Sequence, residues 1–201
     1  MPVKKFIILL FFLMASSVTL SLGNDIKLLD SSALAGEKLY LGMKDAVIDR
    51  QNVRKLCLGG QDLRDFPEDA TNFENLQEIN ISQNFIDFLP ESFCRLEKLT
   101  ELKMSTNSLI RLPDCFRNFK FLRHLEIATN PTLKWDEILP VLCNIKSLEY
   151  LDISDNEINS IPECFLMLQN LKELNVSGNK IPKETIEHIK NVMSKTIIIS
   201  D

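Results

Sequence analysis

The residues of this chain best equipped for chemistry are two histidines and five cysteines among 201 residues. His124 and Glu126 stand two apart, so on an extended strand they share a face. Glu101, Tyr150 and Asp152 fall at matching places in neighbouring segments. One imidazole with several carboxylates could hold a divalent cation. A flat sheet spreads such ligands widely, however, and no fixed ligand motif is present. The expectation is therefore no metal and no cofactor, with a cation-dependent binder kept as an alternative. Cys57 would need a base to act as a nucleophile, and His124 lies three segments away, roughly 14 Å at the strand spacing. That is beyond reach for such a pair. His188 falls in a C-terminal helix, and Gly59-Gly60 stands alone without the rest of a phosphate loop. No catalytic residue is nominated, and the chain is not expected to be an enzyme.

The elements that position these residues come from an internal period. The pattern L-x-x-L-x-L-x-x-N-x-L begins at Val53, Leu76, Leu99, Leu122, Leu148 and Leu171. Successive steps are 23 residues, except for one of 26 between Leu122 and Leu148. In each copy the alternating leucines predict a short strand with one buried face. Asn84, Asn107, Asn130, Asn156 and Asn179 follow, with Gln61 in that slot of the first copy. Their amides can bond backbone groups that an irregular turn leaves unpaired, so these asparagines read as structural. Phe66-Pro67, Leu89-Pro90, Leu112-Pro113 and Ile161-Pro162 open the return of the chain, since proline presets a turn or helix start. Phe93 with Leu96, Phe116 with Phe119, and Phe165 with Leu168 are three apart, so each pair points inward from a helical turn.

A single coil of this kind cannot bury its own apolar side; stacking does so, and the ends need caps. Leu39, Met43, Ala46 and Val47 predict an N-terminal cap helix. Pro182 opens a C-terminal helix with Ile186, Ile189, Val192 and Met193 on one side, and Thr196 to Ile199 reads as a closing strand. Residues 24 to about 36 show no period and are expected to be loose. In the lengthened fourth copy Asp136 is expected to cap a longer outer helix running toward Asn144. Insertions in solenoids often carry binding, which makes Trp135 a candidate contact, with packing of the bulge as the alternative.

Lys4 and Lys5, then continuously apolar Phe6 to Met14, then small and polar residues to Gly23, are the layout of a secretory signal peptide. The domain reading is a signal peptide over 1–23, a loose N-terminus and cap helix over 24–52, repeats over 53–181 and a C-terminal cap over 182–201. The mature chain is expected to be secreted or at the cell surface, with the periplasm as another destination, and without stable membrane insertion. A net charge of −5 argues against nucleic acid as a partner. Cys94 to Cys115 and Cys143 to Cys164 are both 21 residues apart. Buried free thiols are the favoured reading, and export allows disulfides as the alternative.

The full pattern, L-x-x-L-x-L-x-x-N-x-I/L-x-x-L-P-x-x-F-x-x-L, resembles the 23-residue leucine-rich repeats of secreted bacterial proteins. It covers about residues 40 to 201. The resemblance implies an α/β solenoid, a leucine-rich-repeat horseshoe of about six repeats with a parallel inner sheet and caps at both ends. It also implies a non-enzymatic protein, in a group where several members serve host attachment or invasion. On the inner, concave face the third slots of the copies are Lys55, Glu78, Glu101, His124, Tyr150 and Glu173. The fifth slots are Cys57, Asn80, Lys103, Glu126, Asp152 and Asn175. Five acids against two lysines predict a protein partner with a basic surface patch, for a chain that is itself a monomer. Tyr150 and His124 are the anchor candidates, because tyrosine is favoured at binding hot spots. The seventh slots (Gly59, Ser82, Ser105, Ala128, Ser154 and Ser177) are small and leave room for approach. Asn80-Ile81-Ser82 and Asn175-Val176-Ser177 match the glycosylation triplet, which the repeat generates by itself. The alternative to partner binding is a passive envelope or periplasmic structural protein.

Overall fold

The computed structural model describes residues 28–201. The signal-peptide reading of residues 1–23 lies outside them. Eight short strands form one parallel sheet in chain order. They are β1 (Leu39–Tyr40), β2 (Lys55–Cys57), β3 (Glu78–Asn80), β4 (Glu101–Lys103), β5 (His124–Glu126), β6 (Tyr150–Asp152), β7 (Glu173–Asn175) and β8 (Ile197–Ile199). Their register follows the period: Lys55, Glu78, Glu101, His124, Tyr150 and Glu173 stand side by side, as do Cys57, Asn80, Lys103, Glu126, Asp152 and Asn175. Among the described residues the α-helices are α1 (Ser31–Ala35), α2 (Met43–Ile48), α3 (Trp135–Leu142) and α4 (Lys183–Val192). The other return segments, such as Glu91–Arg95 and Asp114–Asn118, are single 3₁₀ turns that begin after a proline.

The coils close around one apolar core. Leu56, Leu102, Leu125 and Leu174 point inward from the strands and are buried, and Phe93, Phe116 and Phe165 meet them from the return turns. Phe93 and Phe116 lie parallel with ring centres 5.8 Å apart, so aromatic stacking runs from coil to coil. In α3 Leu142 occupies the place those phenylalanines hold elsewhere, and it too is fully buried.

The asparagines form the expected ladder. The Asn156 amide donates to the carbonyls of Ile153 and Ser154 in its own coil, at 3.0 and 2.9 Å, and to Ile127 of the preceding coil at 3.0 Å. Its Oδ1 accepts from the amide of Asn130 at 2.6 Å. Asn84, Asn107, Asn130 and Asn179 repeat this arrangement. In the first copy Gln61 instead reaches Leu41 of the N-terminal segment. The residue before each of these positions (Gly60, Gln83, Thr106, Thr129, Asp155 and Gly178) has a left-handed φ between 53° and 66°. At Gly178 glycine is required for space as well, since a Cβ would lie 2.0 Å from Asp155 Oδ1. Threonine at the same place in two coils accepts backbone strain of about 1 kcal/mol each, held by the amide bonds around it.

Several expectations are corrected. The segment from Leu28 to Gly36 is not loose: it folds into α1, capped by Asp30, and the buried amide of Gln77 exchanges two hydrogen bonds with Leu29. Leu39 belongs to β1 rather than to the cap helix, because its backbone pairs with Lys55. Lys134, not Asp136, is the N-cap of α3; Asp136 sits inside the first turn, where its charge suits the helix dipole. Val192 is exposed, while Ile186, Ile189 and Met193 of the same helix face are buried. The cysteines are not buried free thiols. Cys94 is bonded to Cys115 and Cys143 to Cys164, with Cα separations of 5.6 and 5.7 Å, and Cys57 is free. Both bridges join the end of one outer turn to the start of the next, a spacing that stacking makes the same in both places.

Two measurements check this frame. Asn156→Ala leaves buried backbone groups unpaired in two coils and is expected to lower unfolding stability by about 3 kcal/mol in urea titration. Thiol labelling of the unfolded, unreduced chain should find Cys57 alone, and removing the Cys94–Cys115 bridge by double serine substitution should cost about 3 kcal/mol.

Candidate functional site: the open face of the sheet

The third- and fifth-slot side chains of the six repeat strands stand on the face opposite the core, because side chains alternate along a strand. They are half-buried by one another, and Tyr150 is the most exposed at 38%. Contacts run across the strands. Lys55 Nζ lies 3.1 Å from Glu78, and Lys103 Nζ bridges Glu101 at 3.2 Å and Glu126 at 3.1 Å. His124 Nε2 donates to Glu126 Oε1 at 2.7 Å, the only sense open to an ionised carboxylate. The His124 and Tyr150 rings lie face to face with centres 5.6 Å apart.

These contacts tune the charges. The His124 hydrogen bond holds the Glu126 carboxyl below the usual carboxylate range, against the opposing pull of burial and with help from Lys103. Burial pulls the Lys103 ammonium down, and its bonds to Glu126 and Glu101 more than offset this, leaving it above the ordinary lysine value. The two expected lysines are thus spent on the acids of β3 to β5. Among the described residues, Asp152 and Glu173 have no basic partner. The acidic surplus is therefore concentrated on β6 and β7, beside Tyr150.

Among the described residues no group of three or more histidine, cysteine or acidic side chains is placed to hold an ion, and Lys103 already lies against Glu126. Cys57 and His124 stand on strands three places apart in the sheet. Trp135 is not displayed for a partner: it is 7% exposed and packs into the core at the start of α3, where the longer coil needs a large side chain. The seventh slots are small for an internal reason. Ser82 Oγ accepts from Ser105 N and Ser105 Oγ from Ala128 N, tying adjacent coils. Asp152 and Asn175 likewise accept from Ser154 and Ser177 with one carboxylate or amide oxygen. Asn175 and Asn80, the triplet asparagines, are thus engaged in turns.

Sequence reasoning passed over the second slots. Arg123, Glu149 and Lys172 lie in successive coils; Glu149 pairs with both cations, and Lys172 Nζ stands 5.8 Å from the centre of the Tyr150 ring. The bond to Glu149 raises the Lys172 ammonium above its ordinary value. The alternation of sign at one repeat position was the available signal.

Family patterns match where the geometry repeats. The pattern described as "Leucine rich repeat" matches residues 51–109 and 74–132, and "Leucine Rich repeats (2 copies)" matches 146–191. The chain belongs to the leucine-rich-repeat proteins. Solved leucine-rich-repeat structures share its fold. An internalin of Listeria monocytogenes is 18% identical with a TM-score of 0.60, over 85% of this chain and 57% of that one. A second Listeria internalin is 19% identical with a TM-score of 0.62, over 75% of this chain and 62% of that one. A leucine-rich-repeat protein of Leptospira interrogans is 22% identical with a TM-score of 0.52, over 82% and 54%. This chain therefore spans less than two thirds of the length of each. No curated protein matches it by sequence.

The Glu126 network has a testable sign. A carboxyl whose pKa is lower folded than unfolded adds stability above its unfolded value and loses it as pH falls through the folded value. Unfolding midpoints measured against pH should therefore fall more steeply on the acid side for the native protein than for Glu126→Gln. In His124→Gln, NMR titration should show the Glu126 carboxyl moving up toward the ordinary range.

Proposed function

We propose that this leucine-rich-repeat protein is an exported protein-binding module whose partner docks on the concave face of the sheet. The observation that carries this is the acidic, aromatic region at Tyr150, Asp152 and Glu173, where an exposed ring stands beside acids without basic partners. An aromatic anchor flanked by acids without a counter-charge is the make-up of a binding hot spot. The charges select a partner with a basic patch. Lys55, Glu78, Glu101, Lys103, His124 and Glu126 form an internally paired rim toward the N-terminal side, and Asn175 continues the row on β7.

Two inter-coil disulfides support an oxidising destination outside the cytoplasm, in keeping with the leader read at residues 1–23. Among the described residues no helix is long and apolar enough to cross a membrane. Secretion or display at the cell surface fits both observations. Attachment to host cells is a role within this reading, drawn from the resemblance to secreted bacterial repeat proteins. The second reading is a passive envelope component, for which the same charges serve only solvation.

A photo-crosslinking side chain placed at position 150 of the exported protein should capture a defined partner in intact cells. Glu173→Lys should reduce that capture about tenfold without lowering the melting temperature, and Asp152→Asn, which keeps the oxygen that accepts from Ser154 while removing the charge, should reduce it as well. Uniform, weak labelling that ignores both substitutions would favour the passive reading.

A further inference from the structure

A groove of about 820 Å³ lies on the outer side of the coils, away from the open face of the sheet. It sits where the 3₁₀ turn Asp114–Asn118 is followed by the longer coil of α3. Arg117, Lys120 and Lys146 line it with a single acid, Glu97, which reverses the sign of a chain whose net charge is −5. These exposed cations are poorly matched from within. Among the described residues Lys120 and Lys146 have no acidic partner. Lys146 Nζ instead donates to the carbonyl of Cys143, 2.6 Å away at the end of α3. Arg117 meets Asp114 at 3.5 Å on the open surface, where such a pair holds weakly. Each lysine stands two residues before the first leucine of its copy, so stacking sets like charges in neighbouring coils. Phe121, which also lines the groove, is the second anomaly. The residue before the first leucine is polar in the other copies and reaches back to the preceding coil. Asn75 donates to Gln51 O, Lys98 to Asn75 Oδ1, Ser147 to Leu122 O and Asn170 to Lys146 O. Phe121 breaks that row with a half-buried ring that the fold does not call for.

We propose that this outer groove binds an extended acidic segment of a partner protein, with an apolar side chain of that segment against Phe121 and its carboxylates against Arg117, Lys120 and Lys146. The volume is that of a ligand cleft. Carboxylates placed between Lys120 and Lys146 remove the repulsion that stacking imposes on them, and both lysines gain the counter-charge they lack. The ring of Phe121 loses its contact with water when an apolar side chain covers it. An occupant must therefore carry acids and an apolar group together. A peptide segment does, whereas a sulfated polysaccharide offers the anions alone. Phe119, behind Phe121, is core and 6% exposed, so the floor is firm. The groove and the region of Tyr150 and Asp152 lie on different sides of the coils. One molecule can then hold a basic surface on its sheet face and an acidic segment on its outer turns.

Fluorescence anisotropy of the disulfide-intact protein with a labelled peptide of glutamates around a central leucine tests this. The peptide should bind, and replacing its glutamates by glutamine should abolish binding. Lys120→Glu should weaken binding about tenfold. Phe121→Asn should weaken it about fivefold at an unchanged melting temperature, because asparagine already serves at this repeat position in Asn75 and Asn170. Serine in place of the central leucine should cost the native protein as much as Phe121→Asn does. Glu173→Lys should leave the affinity unchanged, which separates this groove from the sheet face. Heparin, the sulfated-polysaccharide probe, should bind less tightly than the peptide and should not respond to Phe121→Asn. No peptide binding at about 1 mM, equal binding of the serine peptide, or a preference for heparin would each overturn the assignment.

Discussion

The whole molecule depends on satisfying the backbone at one buried corner. After each strand the chain turns through a left-handed residue and exposes several peptide groups to the interior, where unpaired polar groups are costly. An asparagine amide is short, carries both donors and an acceptor, and can serve its own coil and the coil before it. Asn156 does this with three carbonyls and a neighbouring N–H. Each coil thereby becomes a condition for the next, and the stack gains its cooperativity from that mutual dependence.

The apolar core follows from the same arrangement. Once the corner is fixed, strand leucines and return-turn phenylalanines have no choice of neighbours. Their burial is shared between coils, so coil length can change locally if volume is conserved. The fourth copy shows how: three extra residues let the return turn lengthen into α3, with Leu142 replacing a phenylalanine and Trp135 filling the added space. One disulfide ties together the two outer turns that precede this longer coil, and the other ties the end of α3 to the outer turn that follows it.

The proposed function uses what the corner leaves free. Side chains at third and fifth slots must point away from the core, and nothing in the fold specifies them. On β2 to β5 they neutralise one another, with His124 and Lys103 sharing Glu126. On β6 and β7 they do not, which leaves an aromatic ring and two acids addressed to solvent. The difference is one of partners across strands rather than of composition.

The sequence by itself determined the fold, the strand register and the rows of the open face. A period of 23 residues with alternating leucines admits one way of stacking, so which residues stand abreast could be read from spacing alone. It also determined that Asn84 to Asn179 are structural. Only the tertiary structure decided which acids are neutralised, since Lys103 could have faced either neighbour or solvent, and that choice depends on side-chain geometry across strands. The same holds for the N-terminal segment, held by Gln77 from 48 residues away, for Trp135, and for the cysteines. Equal spacing of the cysteine pairs was visible in the chain, but whether two sulfurs meet depends on how closely neighbouring turns pack, and a period does not specify that distance.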